Sequence, residues 1–458
     1  MTTGTTVPRG DLEALRRAVA DGTVEEVVVA LPDLQGRLQG SRLDARHALE
    51  HALAPGGAFD ACAYLLAVDI DMRTGAGYAI DAAAGGFGDL RLVPDPTTVC
   101  VPPWWDRTAL VLADARTATG DPVSVAPRTI LARQLERLGA HGLHARCGLE
   151  LEFVVFAESY AEAHALGYAG LRPASRHNAD YGLHATVDVD PLTRRIRRAM
   201  RDVGLRLETA RGECHRGQYE IVFRYDAAMR ACDDAALYKL GAKTIAAQEG
   251  RALTFMARVD DDEGSSGHVH LSLVDGSGRP VFAGDAPDEP PEVLRHALAG
   301  QLACLADFTL LWAPTTNSYK RLQPGTFAPD AVAWGHDNRL AALRLAGTGP
   351  SRRIEHRVAG ADVNPYLLVA GIVAATVHGL ERGTEPAAPV VGDPATAGAP
   401  PLPRDLGEAL ARWQASHVAR AAFGPEVHAH VARAAEVELD LSRRAATDWE
   451  RRRLFERI

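Results

Sequence analysis

The stretch Gly148-Leu149-Glu150-Leu151-Glu152-Phe153-Val154-Val155-Phe156 decides how this chain is read. Apolar residues surround two carboxylates at i and i+2. On a β-strand that spacing sends both side chains to one face. Two like charges side by side repel, and burying them costs several kcal/mol unless something positive lies between them. A divalent cation with oxygen ligands is the natural partner. Taken alone, the pair also fits the solvated face of an edge strand, so the rest of the chain has to supply the other ligands.

At 458 residues the chain is long enough for two or three ordinary domains and a large core. Its composition, 47% hydrophobic and 24% charged, is that of a soluble globular protein. A net charge of −9 argues against nucleic acid or an anionic membrane surface as the main partner. The six cysteines, Cys62, Cys100, Cys147, Cys214, Cys232 and Cys304, form no CxxC pair. Sparse cysteines of this kind predict free thiols in a reducing cytoplasm, not a disulfide framework or a zinc ribbon. The N-terminal stretch MTTGTTVPRGDLEALRRAVA has no apolar h-region, and no run approaches the roughly 18 apolar residues of a membrane span. The expectation is a cytoplasmic protein.

Residues 11–21 read as a short amphipathic helix, and Val24–Leu31 with the turn and strand after it as a hairpin. Ala45–Leu53 reads as a helix. The Gly- and Ala-rich segment 54–90 reads as irregular, and long loops of that kind are usually functional or interfacial. Short strands follow at Leu90–Val93, Thr98–Val101 and Leu110–Ala113, giving 15–110 the look of a small α+β domain with a mixed sheet. From Pro127 come a helix, the Glu-x-Glu strand, a polar loop over 158–190 and a helix at Asp190–Val203. Strands at Leu205–Thr209 and Gln218–Tyr225 then precede a long helix, Asp226–Glu249, that opens on an acid. Leu253–Arg258 and His268–Val274 read as strands and Pro291–Ala306 as a helix. Val363–Arg382 reads as a buried helix, 386–404 as a Pro-rich surface loop, and three amphipathic helices close the chain. No GxxxxGK[ST] or GxGxxG precedes a helix.

Further acids and imidazoles recur in strand-like segments. Glu213 and Glu220 flank a turn that Gly217 permits, His268-Val-His270 is a second i, i+2 pair, and Arg353-Ile-Glu355-His-Arg357 alternates cation, acid and cation. Each alone reads as an ordinary solvated surface; their joint occurrence does not. Five carboxylates and one imidazole suit Mg²⁺ or Mn²⁺, whereas zinc prefers Cys and more His. Arg321, Arg339, Arg344, Arg353 and Arg357 form a cation inventory suited to carboxylates and phosphates. Metals plus several arginines describe phosphoryl transfer onto an acidic substrate.

In this order and spacing, GLELEF (148–153), GECHRGQYEI (212–221), GSSGHVHLSL (264–273), NSYKRLQPG (317–325), HDNRLAALR (336–344) and RRIEHR (352–357), followed by NPY, resemble the signature segments of the glutamine synthetase family. The similarity runs from the VALPDLQGRLQG hairpin to the final TDWERRRLFERI. The resemblance implies an α+β architecture: an N-terminal β-grasp-like domain (1–110) and a C-terminal catalytic domain (111–458), an antiparallel sheet funnel flanked by helices. It also implies an active site shared between subunits of a ring, usually a dodecamer of two stacked hexamers. Carried over by motif, Glu152, Glu213 and Glu220 would hold one metal, and Glu150, His268 and Glu355 the other, with two or three Mg²⁺ or Mn²⁺ ions per site. Gly264, Arg321 and Arg357 would bind glutamate. Tyr225, His270 and Ser272 would lie near ATP, and Arg339, Arg344 and Arg353 would face its phosphates. In the implied mechanism the γ-carboxylate of glutamate attacks the γ-phosphate of ATP. The metals and Arg339 neutralise the spreading charge, and an amine nitrogen then displaces phosphate to give an amide.

Three departures matter, two for the acceptor and one for control. Ammonia-using members carry an acid in a PGYEAP-like stretch, but this chain reads Pro324-Gly-Thr-Phe327-Ala-Pro329. Phe327 cannot accept a proton, yet it could line a pocket for a carbon-bearing amine. Asp60 offers the ammonium-binding aspartate of the N-terminal domain, in a loop that otherwise differs. The tyrosine segment used for adenylylation has no counterpart in 386–410. CAYLLAVDIDM, QPGTFAP and AVAWGHDNR are most similar to the family's amine-specific branch, with ethanolamine favoured over polyamines as the acceptor. Two readings stand beside this one: ordinary glutamine synthetase using ammonia, and a family member that has lost catalysis.

Overall fold

The computed structural model describes residues 7–80, 85–261, 263–284 and 290–458, so part of the Gly- and Ala-rich segment, 81–84, lies outside the described residues. The first sheet grows from the apolar run of β1 (Glu26–Pro32), buried along nearly its whole length because strands cover both its edges. β2 (Leu38–Asp44), β3 (Phe59–Cys62), β4 (Asp89–Pro94) and β5 (Thr108–Arg116) complete it in the order β2-β1-β5-β4-β3. β1 pairs in parallel with β5 and antiparallel with β2, so the sheet is mixed, as expected. The β1–β2 turn is closed by Asp33. Its carboxylate accepts from the backbone N–H of Gln35 (3.0 Å) and of Arg37 (2.8 Å) and from Arg37 Nε (2.7 Å), while Gly36 takes φ +77°. β5 runs through the 110/111 position, so the first sheet extends to Arg116.

The second sheet is built on β6 (Leu143–Phe156), the fourteen-residue strand that contains the Glu-x-Glu pair. With β7 (Leu207–Gly212), β8 (Gln218–Phe223), β11 (Gly267–Asp275), β12 (Trp334–His336), β13 (Leu343–Ala346) and β14 (Arg353–His356) it gives the order β12-β13-β14-β11-β6-β8-β7. The short β9 (Asp226–Ala227) and β10 (Ala252–Thr254) also pair with β6. Every neighbouring pair is antiparallel except β12–β13.

The helix Pro365–Arg382 is buried along almost all of its length, as its apolar sequence predicts, and packs on the helices Glu292–Cys304 and Pro127–Gly139. Among the described residues no helix is long and apolar enough to cross a membrane. All six cysteines are free. Several local expectations shift. The long helix starts at Ala228 rather than at the acid, because Asp226 is paired with Cys147 in β9. In place of the expected strand at 98–101, the 3₁₀ turn Pro96–Thr98 is followed by a single antiparallel bridge from Cys100 to Leu110, and the polar loop over 158–190 contains the helix Tyr160–Ala165.

A buried ion cluster ties the first sheet to these helices. Arg128 Nε donates to Asp114 (2.8 Å), Nη2 to Asp95 (2.8 Å) and Nη1 to Asp233, which also accepts from the Tyr366 hydroxyl (2.8 Å). Replacing Asp233 by Ala leaves a buried guanidinium short of one partner. The expected cost is about 3 kcal/mol in chemical denaturation, and a loss below about 0.5 kcal/mol would show the cluster to be dispensable.

Candidate active site

Strand register brings the acids together. Across β6 and β11, His268 lies opposite Glu150; across β6 and β8, Glu152 lies opposite Glu220. Across β11 and β14, His270 lies opposite Glu355, and Arg344 of β13 lies opposite Glu355 in turn. Arg211 of β7 closes the other end of the row, opposite Glu220. The i, i+2 alternation therefore continues across six strands on one face of the sheet.

Two groups of three side chains result, each with ligand atoms within 4.8 Å of one another: Glu150, His268 and Glu355, and Glu152, Glu213 and Glu220. These are the same two sets that the motifs suggest. A third group, Asp180, Glu213 and Cys214, shares Glu213. Burial and the adjacent Asp180 push the Cys214 thiol up to about 12, so it is a poor ligand at neutral pH.

The two triads differ in charge balance. Burial works against ionisation of Glu150, but His268 and His270 outweigh it and hold the carboxyl well below its usual range. The nearer partner is His270, whose Nε2 lies 3.0 Å from Glu150 while its Nδ1 accepts from Arg353 Nε at 3.0 Å. Burial and the nearby Arg357 lower His268, the direction that favours the neutral ring a metal ligand needs. Glu355 is held down at about 2. There burial is overcome by His268 and Arg357, and Arg344 Nη1 donates to it at 2.7 Å.

Around the other triad the balance reverses. Burial, then Glu150 and Glu152, push Glu220 up to about 9; burial and Glu152 push Glu213 up to about 7. Arg211 alone faces both, at 2.7 Å from Glu213 and 2.6 Å from Glu220. Its angle to Glu220 leaves that buried Oε2 with no hydrogen bond. An orphaned carboxylate oxygen among three acids fits a bound divalent cation, and the oxygen-rich donor set of the two triads suits Mg²⁺ or Mn²⁺. Glu152 is fixed for the purpose, accepting from Ser266 N (2.7 Å), Ser266 Oγ (2.5 Å) and Gln218 Nε2 (2.9 Å).

The arginines divide. Arg344, Arg353 and Arg357 are engaged with Glu355 or His270. Arg321 is 4% exposed and donates only to backbone, at Val358 O (2.8 Å) and Arg357 O (3.4 Å). It has no carboxylate partner among the described residues, although burial lowers its pKa only to about 10. A buried cation of this kind is suited to a carboxylate arriving with substrate. Gly264 lies flat against it: a Cβ there would come within 2.7 Å of Arg321 Cγ. Arg339 is exposed and makes no ion pair among the described residues.

Ser272 follows His268 and His270 on the same face of β11. Tyr225 is 60% exposed, and Gly148, opposite His270, leaves open the space beside it. Phe327 is 63% exposed, near the triads' loop 263–266 but outside the sheet. Asp60 is exposed on β3, at the edge of the first sheet, and is not brought to the triads. Sequence reasoning passed over Gln218, Ser266, Arg211 and Glu263. Gln218 stands at i−2 from Glu220 on the same strand face, a signal the alternation carried; the others depend on cross-strand register or on a loop.

The family model "Glutamine synthetase, catalytic domain" matches residues 124–454, and the chain belongs to the glutamine synthetase family as a ligase. It is 52% identical over 455 residues, 99% of this chain and 97% of the relative, to the γ-glutamylethanolamide synthetase GlnA4 of Streptomyces coelicolor. It is 31% identical to a glutamate–isopropylamine ligase of a Pseudomonas species, covering 97% of this chain and 98% of that one. A solved GmaS/ADP complex superposes with a TM-score of 0.84 over 96% of this chain and 99% of that one, at 25% identity.

In metal-free protein the raised carboxyls should weaken the fold as pH rises. A folded pKa above the 4.5 of a free carboxyl means that the native state holds a proton the unfolded chain has released. The contribution is full below 4.5 and is lost through about 7 for Glu213 and about 9 for Glu220. The melting temperature of chelator-treated protein should fall between about pH 5 and pH 9, and added Mg²⁺ or Mn²⁺ should flatten that fall. A pH profile indifferent to the metal would contradict the assignment of this triad as a metal site.

Proposed function

We propose that the protein is an ATP-dependent ligase that joins the γ-carboxylate of glutamate to a small primary amine, with ethanolamine the favoured acceptor, through γ-glutamyl phosphate. The observation that carries the reading is the pair of acidic triads on one sheet face beside a buried Arg321 with no carboxylate partner among the described residues. Two divalent ions, when bound by the triads, would supply the charge neutralisation that ATP phosphates require. Arg321, packed against Gly264, and Arg357 hold glutamate. Arg339, exposed and outside any ion pair among the described residues, meets the transferring phosphoryl group, while Arg344 and Arg353 keep Glu355 and His270 in place. Tyr225, His270 and Ser272 border the nucleotide side.

The choice of amine rests on the 52% identity to an ethanolamide-forming relative and on Phe327, apolar and exposed where ammonia-using members place an acid. The chain divides into a β-grasp-like N-terminal unit and a catalytic unit, and assembles as a ring of subunits, a dodecamer, in the cytoplasm. In such a ring Asp60, exposed on β3, serves the site of a neighbouring subunit.

Phosphate release from ATP and glutamate should be measured with ammonium, ethanolamine, putrescine and spermine separately. Ethanolamine should exceed ammonium in kcat/KM by at least about tenfold. Phe327→Glu should shift that ratio toward ammonium by restoring a proton acceptor and shrinking an apolar pocket. Best turnover with ammonium would contradict the amine reading, and an unmoved ratio in Phe327→Glu would remove position 327 from acceptor choice.

A further inference from the structure

An alkylamine reaches the site as a cation, so the acceptor side needs an anion and a place for one proton before nitrogen can attack. Phe327 provides neither. The structure places a carboxylate beside it from another loop: Glu263 Oε2 accepts from the Phe327 backbone N–H at 3.3 Å. Glu263 and Thr326 line one cavity of roughly 680 Å³ that also reaches Cys214, next to Glu213 of the acidic triad.

The loop carrying Glu263 is pinned on both sides. Before it, Asp260 Oδ1 lies 2.7 Å from Nε2 of the buried His215, on the turn between β7 and β8. After it, Gly264 O accepts at 3.1 Å from Gln218 Nε2, the same amide that donates to Glu152. One residue further, Ser265 and Ser266 are buried, and Ser266 donates twice to Glu152. Glu263 therefore stands next to a residue that touches both Arg321 and the Gln218–Glu152 pair. Arg176, Arg216 and Arg258 also border the cavity. Arg258 donates to backbone carbonyls at Lys320 O (2.6 Å), Asp261 O (2.8 Å) and Asp260 O (3.1 Å).

We propose that Glu263 binds the ammonium group of the incoming amine and takes the proton that frees its nitrogen lone pair. The inference rests on the ligase reading above. The ammonium gives one proton to the Glu263 carboxylate, and the neutral nitrogen attacks the acyl carbon of γ-glutamyl phosphate. The C–N bond forms, the C–O bond to phosphorus breaks with its electron pair on the departing phosphate, and phosphate accepts the second nitrogen proton. Most of the groups that act on ATP lie on the strands, and the group that prepares the amine lies on the strapped loop.

Hydroxylamine separates these roles, because at pH 7 it is a neutral nucleophile that needs no prior deprotonation. Phosphate release should be measured with ethanolamine and with hydroxylamine for the wild type, E263Q and E263D. E263Q should lower the ethanolamine-to-hydroxylamine ratio of kcat/KM by at least about tenfold, with E263D restoring part of it. An equal fall with both nucleophiles would reduce Glu263 to a structural support, and no fall would remove it from the reaction; either overturns the proposal. If the wild type prefers ammonium, the alkylamine reading fails on its own, and the ammonium-to-hydroxylamine ratio still decides Glu263.

Discussion

Like charge on one face of a β-sheet is the constraint on which the rest of this structure depends. Glu150 and Glu152 project from β6 in the middle of a sheet, where solvent cannot dilute their repulsion. Burying them unaided would cost several kcal/mol. The surrounding strands are arranged in answer: β11 sets His268 and His270 beside Glu150, β13 and β14 add Arg344 and Arg353, and Arg357 follows directly after β14. On the opposite edge β8 and β7 bring Gln218 and Arg211 toward Glu152 and Glu220.

The compensation is uneven, and the unevenness is informative. On the β11–β14 side the protein supplies its own cations, and Glu150 and Glu355 stay ionised. On the β7–β8 side Arg211 faces two carboxylates, Glu213 and Glu220, and both are pushed toward holding protons at neutral pH. The first triad resembles a preformed cradle; the second is a strained cluster that is relieved by binding charge. Strain of this kind is expected where a site is built for a ligand rather than for stability.

Much of this was legible in the sequence because strands carry side chains with a period of two. The i, i+2 pairs at 150/152 and 268/270 and the alternation at 353/355/357 fix which residues share a face before any pairing is known. The buried helix Pro365–Arg382 was equally plain from its apolar run. What the sequence did not carry is register. Nothing local says that Arg211 faces Glu220, or that Ser266 N–H reaches Glu152. Asp226 looked like the acid of a helix N-terminus, but tertiary pairing with Cys147 took it into β9. Glu263 went unread for a related reason: its meaning comes from a contact with Phe327, 64 positions away in the chain.

Two metal-binding triads on one sheet face underlie the proposed chemistry, and the number of bound ions reports on them without any assay of turnover. Equilibrium dialysis with Mn²⁺ at neutral pH should show two tightly bound ions per chain in the wild type. Glu220→Gln should lose one of them and leave the ion held by Glu150, His268 and Glu355. A stoichiometry below one per chain, or a count that Glu220→Gln leaves unchanged, would contradict it.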